Sequence, residues 1–213
     1  SHFDYKVTVQ DERIVITRGL IEKKRITIPL NRVQAIQIVE NPFRQALGFT
    51  TVQIESAGGS GGDKKEGMKG SVKLFPLIRK RDMHGPLHEL FPHLNVQEQV
   101  DAFQSPKRAR PFFYRLDFIW FVPVVAALGY FFFPYGLLSI LIGVPIILMG
   151  IWQHKTVRAY TINNQITLTY RLFSKVTFIA EKQRVQVMHL NQSIFQKRRQ
   201  VATIEFNVKS GAM

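Results

Sequence analysis

Residues 118–152 read FIWFVPVVAALGYFFFPYGLLSILIGVPIILMGIW, and they include no Asp, Glu, Lys or Arg. A run of 35 residues exceeds the roughly 20 that one helix needs to cross about 30 Å of hydrocarbon. The sequence PYG at 134–136 predicts a break, because proline cannot continue a helix and glycine permits a tight turn. The stretch therefore predicts a hairpin of two membrane spans, residues 116–133 and 136–152. A buried soluble hairpin or a re-entrant loop is the alternative.

Basic and aromatic residues border this hairpin. Arg115 precedes the first span and Lys155 follows the second, while the tip at 133–136 carries no charge. Positive flanks mark the cytoplasmic side, and tryptophan is enriched at membrane interfaces, where we expect Trp120 and Trp152. Both soluble parts should therefore face the cytoplasm.

The charge balance predicts a negatively charged partner. The chain has a formal net charge of +14 and no cysteine, so a disulfide framework is excluded. Residues 154–213 hold 10 basic and only 2 acidic side chains. An anionic leaflet or an acidic protein fits this excess. Nucleic acid is not expected, because the basic clusters lack interleaved aromatic residues for base stacking. The excess could also serve only topology and solubility.

The segments on the two sides of the hairpin repeat at an offset of 152 residues. Between residues 13–59 and 165–211, 10 of the 47 ungapped columns are identical. They include Arg-Val-Gln at 32–34 and at 184–186, where we expect Arg32 and Arg184 to brace a strand end. An ungapped match of this length indicates duplication of a structural unit.

Alternating apolar residues predict that the unit is rich in strands. Val9, Ile14 and Ile16 share one face of a hairpin that turns at 11–12. The predicted strands are residues 5–9, 14–17, 25–30, 33–39, 49–55 and 72–78, with a helical turn around Phe43 and Leu47, a glycine-rich loop at 56–71 and a helix at 80–90. Antiparallel strands followed by one helix predict a small barrel or bent sheet that the helix caps.

Three runs carry a resemblance to a known family: IPLNRVQAI at 28–36, Phe43 with LGF at 47–49, and VQIESAGG at 52–59. Together with the alternation of domain and hairpin, they make the chain resemble the bacterial pleckstrin-homology domains found as membrane-flanked repeats, the YdbT-like proteins. The resemblance covers nearly the whole chain. It implies seven-stranded split barrels with a C-terminal helix, anchoring in the bacterial inner membrane and no established catalytic centre. The second copy departs from the pattern, with Ala180-Glu181-Lys182 in place of Ile-Pro-Leu and Gln200 in place of Gly48.

The usual signatures of catalysis and metal binding are weak. His84 and His88 have a spacing that can bind metal, and His93 follows, but no acidic or cysteine ligand is well placed beside them. A surface helix is the favoured interpretation. Residues 62–67 resemble the start of a phosphate loop, yet Met68 stands where lysine is required. We expect no enzymatic activity, no cofactor and no metal site.

Clusters of basic residues are the better candidate sites. Lys197-Arg198-Arg199 aligns with Gln45-Ala46-Leu47, so this cluster is specific to the second copy. A solvated surface is the alternative for each cluster. The candidate contacts for anionic lipid or a protein partner are Lys23, Lys24, Arg25, Arg44, Arg79, Lys80, Arg81, Lys197, Arg198 and Arg199.

The sequence thus predicts a mainly β protein with a membrane helical hairpin. Its expected parts are a first pleckstrin-homology-like domain at 1–95, a basic linker at 96–115, the hairpin at 116–153 and a second, shortened domain at 154–213. The expected function is that of a membrane-anchored, non-enzymatic scaffold that contacts other copies or other membrane-associated proteins. Peripheral reading of anionic lipid headgroups is the alternative. Transport is disfavoured, because the spans lack interior ionisable residues.

Overall fold

The predicted strands of the first copy are all present, and their ends agree with the prediction to within one residue. The computed structural model describes residues 6–10, 13–18, 24–56, 71–92, 94–96 and 102–208. The predicted turn at 11–12 and most of the glycine-rich loop lie outside the described residues. The strands are β1 Lys6–Gln10, β2 Arg13–Arg18, β3 Lys24–Pro29, β4 Val33–Glu40, β5 Phe49–Ser56 and β6 Ser71–Arg79.

Helix α2 is shorter than predicted. It spans His84–Leu90, whereas residues 80–82 form a turn. Pro86 explains the late start, because proline is tolerated only in the first turn of a helix, where its missing N–H has no intrahelical partner. The predicted apolar face is confirmed, since Met83, Leu87 and Leu90 are all buried.

The core of the first copy lies between strands β1–β3, strands β4–β6 and helix α2. Ile14 and Ile16 from β2, Ile36 from β4, Ile54 from β5 and Leu87 from α2 belong to one buried cluster, and each has 0% of its surface exposed. Burying an aliphatic side chain of this size contributes about 1.5–3 kcal/mol. The hydrophobic effect thus holds the two layers of strands and the helix together.

The same order of elements recurs after the hairpin. The first residues of β1, β4 and α1 are 6, 33 and 42, and the corresponding elements begin 152 residues later, at 158, 185 and 194. The second copy comprises β8 Arg158–Ile162, β9 Gln165–Arg171, β10 Lys175–Glu181, β11 Val185–Asn191, α5 Ile194–Arg198 and β12 Thr203–Val208, where α1 of the first copy is Pro42–Ala46.

Different residues build the same short helix in the two copies. Asn41 caps α1 by accepting a backbone N–H, and Gly48 ends the turn at a φ of 72°. In α5 the cap is Ser193. Its hydroxyl accepts a hydrogen bond from the Gln196 N–H, and the Gln196 side chain accepts one from the Ser193 N–H, which forms a capping box. Gln200 takes the position of Gly48 and adopts a φ of 51°. The left-handed turn is therefore kept although glycine is lost, at a conformational cost of about 1–2 kcal/mol.

The two copies share one sheet, and the split barrels that the resemblance implies stay a prediction. The strand order of the sheet is β6-β5-β4-β10-β9-β8-β7, where β7 is Phe103–Gln104, so β4 of the first copy pairs with β10 of the second. Within the described residues, β1, β2 and β3 form a separate three-stranded sheet, and β11 pairs only with β12. Because β3 and β4 lie in different sheets, one edge of β4 has no partner strand from its own copy. Strand β10 therefore takes up the backbone groups along the open edge of β4.

The predicted linker at 96–115 contains regular structure. Strand β7, Phe103–Gln104, pairs with β8 at the edge of the shared sheet. A 3₁₀ helix follows at Lys107–Phe113 and buries Ala109. This segment therefore joins the sheet to the hairpin.

The apolar hairpin breaks close to the predicted position. Helix α3 is Arg115–Phe131, residues 132–134 form a turn, a 3₁₀ helix spans Tyr135–Ile142, and α4 is Gly143–Thr156. Gly136 packs directly against the backbone of Leu128, where any side chain would clash. Among the described residues, the end of the 3₁₀ helix and α4 together form a helical segment, Leu138–Thr156, that is long and apolar enough to cross a membrane. The segment Trp120–Phe131 of α3 is a shorter apolar helix. The pairing of two membrane spans stays a prediction.

Candidate functional site

The seam between the copies is an antiparallel ladder supported by side chains. The register runs from Lys175 opposite Glu40 to Ala180 opposite Ala35. Ile179 of the second copy is fully buried in the core of the first. The first copy therefore depends on the second for part of its core.

Polar side chains fasten the end of this seam that lies next to Ala180 and Ala35. Gln165 on β9 donates to the Asn95 carbonyl oxygen at 2.7 Å and accepts from the Asn95 N–H at 2.7 Å. Arg184 donates to the Asn31 carbonyl oxygen at 2.9 Å and pairs with Glu181 at 2.8 Å. The predicted bracing role is thus confirmed for Arg184, and it joins the second copy to the first.

The surface formed by β11, α5 and β12, here called the open unit, exposes positions that are buried in the first copy. Met188 is 59% exposed and Leu190 is 59% exposed, whereas Ile36 and Ile38, 152 residues earlier, are 0% and 4% exposed. Ile204 on β12 is exposed in the same way. The apolar residues exposed on this unit are Val187, Met188, Leu190, Ile194, Phe195 and Ile204. The open unit therefore has the pattern of a core face without the layer that covers it.

The basic residues predicted in the first copy do not form one site. Lys23 lies outside the described residues, and Lys24 and Arg25 are placed on β3 by their backbone alone. Arg44 donates to the Thr51 hydroxyl at 2.6 Å, and so fixes α1 to β5. These contacts make Arg44 a structural residue.

The next basic cluster is also partly engaged. The Arg79 guanidinium lies 5.9 Å from the ring centroid of Phe49. Lys80 forms a 3.4 Å ion pair with Glu40, and Arg81 is exposed. Of this cluster, Arg81 is the side chain best placed to meet a partner.

The second-copy cluster and the hairpin border are accessible. Lys197 and Arg198 end α5, and Arg199 follows them; all three are exposed. Trp120 on α3 is exposed, as is Lys155 on α4. The side chain of Arg115 lies outside the described part of the structure.

Trp152 belongs to a site that the sequence analysis missed. The Arg171 guanidinium stacks over the Trp152 ring, 3.8 Å from its centroid. Arg171 donates to the Thr156 hydroxyl at 3.2 Å and to the Gln45 side-chain oxygen at 2.7 Å, so it connects α4 to α1. The sequence distinguishes Arg171 only by a difference between the copies, because the residue at the equivalent position of the first copy, 152 residues earlier, is Gly19.

Burial lowers the pKa of the Arg171 guanidinium, and the negative charge of Glu40 acts in the opposite direction. The arginine remains a cation, since its ordinary pKa lies far above neutrality. It is only 4% exposed. The chain thus keeps a buried positive charge next to the end of the apolar helix α4.

Two titratable side chains with shifted pKa values, Glu55 on β5 and Tyr170 on β9, belong to the shared sheet. Burial raises the pKa of the Glu55 carboxyl, against the hydrogen bond that it accepts from Gln37. Burial raises the pKa of the Tyr170 hydroxyl, and the charge of Glu55 adds to the rise. Neither group lies beside a cluster of metal ligands within the described residues.

Comparison with known proteins identifies the family. The family described as "Bacterial PH domain" matches residues 1–84 and again 119–212. The UPF0699 transmembrane protein YdbT of Bacillus subtilis (strain 168) is 37% identical over 211 residues, which cover 98% of this chain and 42% of that protein. The chain therefore spans less than half the length of this curated relative. No solved structure matches. With both copies matched, the chain belongs to the bacterial PH domain family of YdbT-like proteins.

Proposed function

We propose that the chain is a membrane-anchored, non-catalytic assembly module whose pleckstrin-homology-like copies join through strand edges. The observation that carries the proposal is the pairing of β4 with β10, which already joins two copies edge to edge. The open unit offers β11, the second-copy equivalent of β4. Strand β3 is the first-copy equivalent of β10, and within the described residues it pairs only with β2.

The proposed partner of β11 is β3 of another copy of this chain. Shifting both strands of the β4–β10 ladder by 152 residues places Thr27 opposite Met188, as Ile179 lies opposite Ile36. Main-chain hydrogen bonds along an open strand edge supply affinity in this mode of recognition. The interface is heterologous, so it generates rings or filaments and not only dimers.

Membrane anchoring is proposed from the hairpin. Its exposed aromatic and aliphatic side chains, such as Phe131, Phe133 and Leu148, would form a large apolar patch in water. The relative is itself named a transmembrane protein. Anchoring in the bacterial inner membrane, with both copies in the cytoplasm, raises the local concentration of strand edges, so that weak contacts suffice.

Assembly is tested by the mass of the full chain in detergent micelles, measured by analytical ultracentrifugation over a range of concentrations. We expect oligomers, and we expect Leu190→Lys to shift them to monomers, because a charge enters the apolar face of β11. Leu77→Lys is the matched control, since Leu77 on β6 has a similar exposure of 57% against 59%. A monomeric parent, or equal loss of oligomers in both variants, would contradict the proposal.

A second candidate function is the reading of anionic lipid through exposed basic residues. The exposed cluster at Lys197, Arg198 and Arg199 favours it. Surface-charge binding weakens steeply with salt, whereas strand pairing does not. Association with anionic vesicles that persists at low salt and disappears at high salt would support this candidate.

A further inference from the structure

A cavity of about 170 Å³ lies between α1, α4 and strands β8–β10. It is large enough for roughly five or six water molecules, given about 30 Å³ for each. Four basic side chains line it, together with four neutral polar side chains. The basic lining residues are Lys155, Arg158, Arg171 and Lys175, and the neutral polar ones are Gln45, Thr156, Tyr160 and Thr169.

Arg171 is the fixed cation of this cavity. All three of its described hydrogen bonds go to neutral acceptors, namely the Thr156 hydroxyl, the Phe173 carbonyl oxygen and the Gln45 side chain. The Trp152 ring covers one face of the guanidinium. A buried cation is costly unless an anion compensates it. Neutral acceptors position the guanidinium but do not balance its charge.

One carboxylate lies near this charge, and it serves another cation. Glu40 is buried, and its side chain pairs with Lys80 at 3.4 Å. It also lies opposite Lys175 in the β4–β10 register. No carboxylate is among the residues that line the described cavity. Four basic side chains thus line the cavity, and Glu40 is a nearby carboxylate outside its lining.

The cavity is not a general feature of the repeat. The positions 152 residues before Lys155 and Arg171 are Phe3 and Gly19, so half of the basic lining is specific to the second copy. The cavity also needs both copies, because Gln45 comes from α1 of the first. The basic side chains of Lys155 and Arg171 are therefore not a shared sequence feature of the two copies.

We propose that this cavity binds a phosphate group. Arginine and lysine around one cavity, with hydroxyl and amide donors beside them, match the charge and the acceptor oxygens of a phosphate. The shared chemistry covers inorganic phosphate, a soluble phosphomonoester and the phosphate of a lipid headgroup. The cavity lies at the C-terminal end of α4, which would place it at headgroup depth; that placement alone rests on the proposed anchoring.

Trp152 provides a direct readout. The chain contains two tryptophans, so Trp120→Phe leaves Trp152, which stacks on Arg171, as the only indole. In non-ionic detergent, we would titrate this variant with inorganic phosphate and with short-chain phosphatidylglycerol, using chloride at equal ionic strength and a short-chain diacylglycerol, which has no phosphate, as controls. Saturable quenching or enhancement by phosphate alone indicates a soluble ligand. Saturation by phosphatidylglycerol only indicates a lipid headgroup.

The decisive comparison uses two double variants that each remove two positive charges. Lys155→Gln with Arg158→Gln removes two of the four positive charges that line the cavity. We expect phosphate binding to weaken about tenfold or more, since hydrogen bonds between charged groups are strong. Lys107→Gln with Arg110→Gln is the matched control, because both side chains are exposed and neither lines the cavity, and it should bind as the parent does. Absence of a saturable signal with either probe, or equal weakening in both variants, would overturn the proposal. Neither result depends on the oligomeric state, so this test is separate from that of assembly.

Discussion

Glu55 shows how a single half-buried residue makes the stability of the shared sheet depend on pH. Burial raises the pKa of its carboxyl in the folded chain. A raised carboxyl pKa means that the folded state holds the proton more tightly than the unfolded state does. The corresponding stability is fully present below the ordinary glutamate pKa of about 4.3. It is lost as the pH rises through the raised value.

Glu55→Gln should therefore raise the thermal unfolding temperature at pH 7 and leave it almost unchanged near pH 4. Glutamine keeps a side-chain oxygen that can accept the hydrogen bond from Gln37, but it removes the charge. Calorimetry in detergent at the two pH values measures the difference. Glu89→Gln, on the exposed face of α2, is the matched control. An equal shift at both pH values would show that ionisation of Glu55 is not responsible.

Residue chemistry also limits what the sequence can reveal. The bracing role of Arg184 could be predicted, because Arg-Val-Gln occurs at the same strand end in both copies. Arg171 could not, because it occurs once and its partners on α1 and α4 are far away in sequence. The cavity of basic residues depends on those long-range contacts, so spacing along the chain contains no sign of it.

At the scale of the elements, the seam between β4 and β10 makes the two copies fold together. Alternation of apolar residues predicted the position of β4, and the 152-residue repeat implied that of β10. Neither pattern predicted their partners, because an inward-facing residue such as Ile179 fits the core of either copy equally well. The strand bounds are therefore readable from the sequence, whereas the pairing between copies is not.

Ile179→Ala should destabilise the first copy, although residue 179 belongs to the second. Removing a fully buried isoleucine side chain costs about 2–5 kcal/mol. Ile204→Ala is the matched control, because Ile204 is 52% exposed, and it should change stability by about 0.5 kcal/mol or less. Denaturant unfolding of the full chain in detergent, with hydrogen exchange at β4 and β5 as the local readout, measures both. Loss of protection confined to β8–β10 would contradict a shared core.

At the scale of the whole molecule, one rule for joining copies describes both the observed seam and the proposed assembly. The chain uses one β4-type edge and one β10-type edge internally, at β4 and β10. It retains one edge of each type, β11 and β3, within the described residues. Repetition of the same ladder between molecules would extend the sheets along the membrane surface.

Assembly through β3 and β11 can be tested with a disulfide that joins the two strands in the predicted register. The chain has no cysteine, so Thr27→Cys with Met188→Cys introduces the only thiols. Residues directly opposite each other in antiparallel strands have Cα atoms about 4.5–5.5 Å apart, within the range of a disulfide. Mild oxidation of the full chain should give dimers and a ladder of larger species on a denaturing gel, and Thr27→Cys with His189→Cys, which points to the opposite face, should not. Equal cross-linking of both pairs, or of neither, would contradict assembly through β3 and β11.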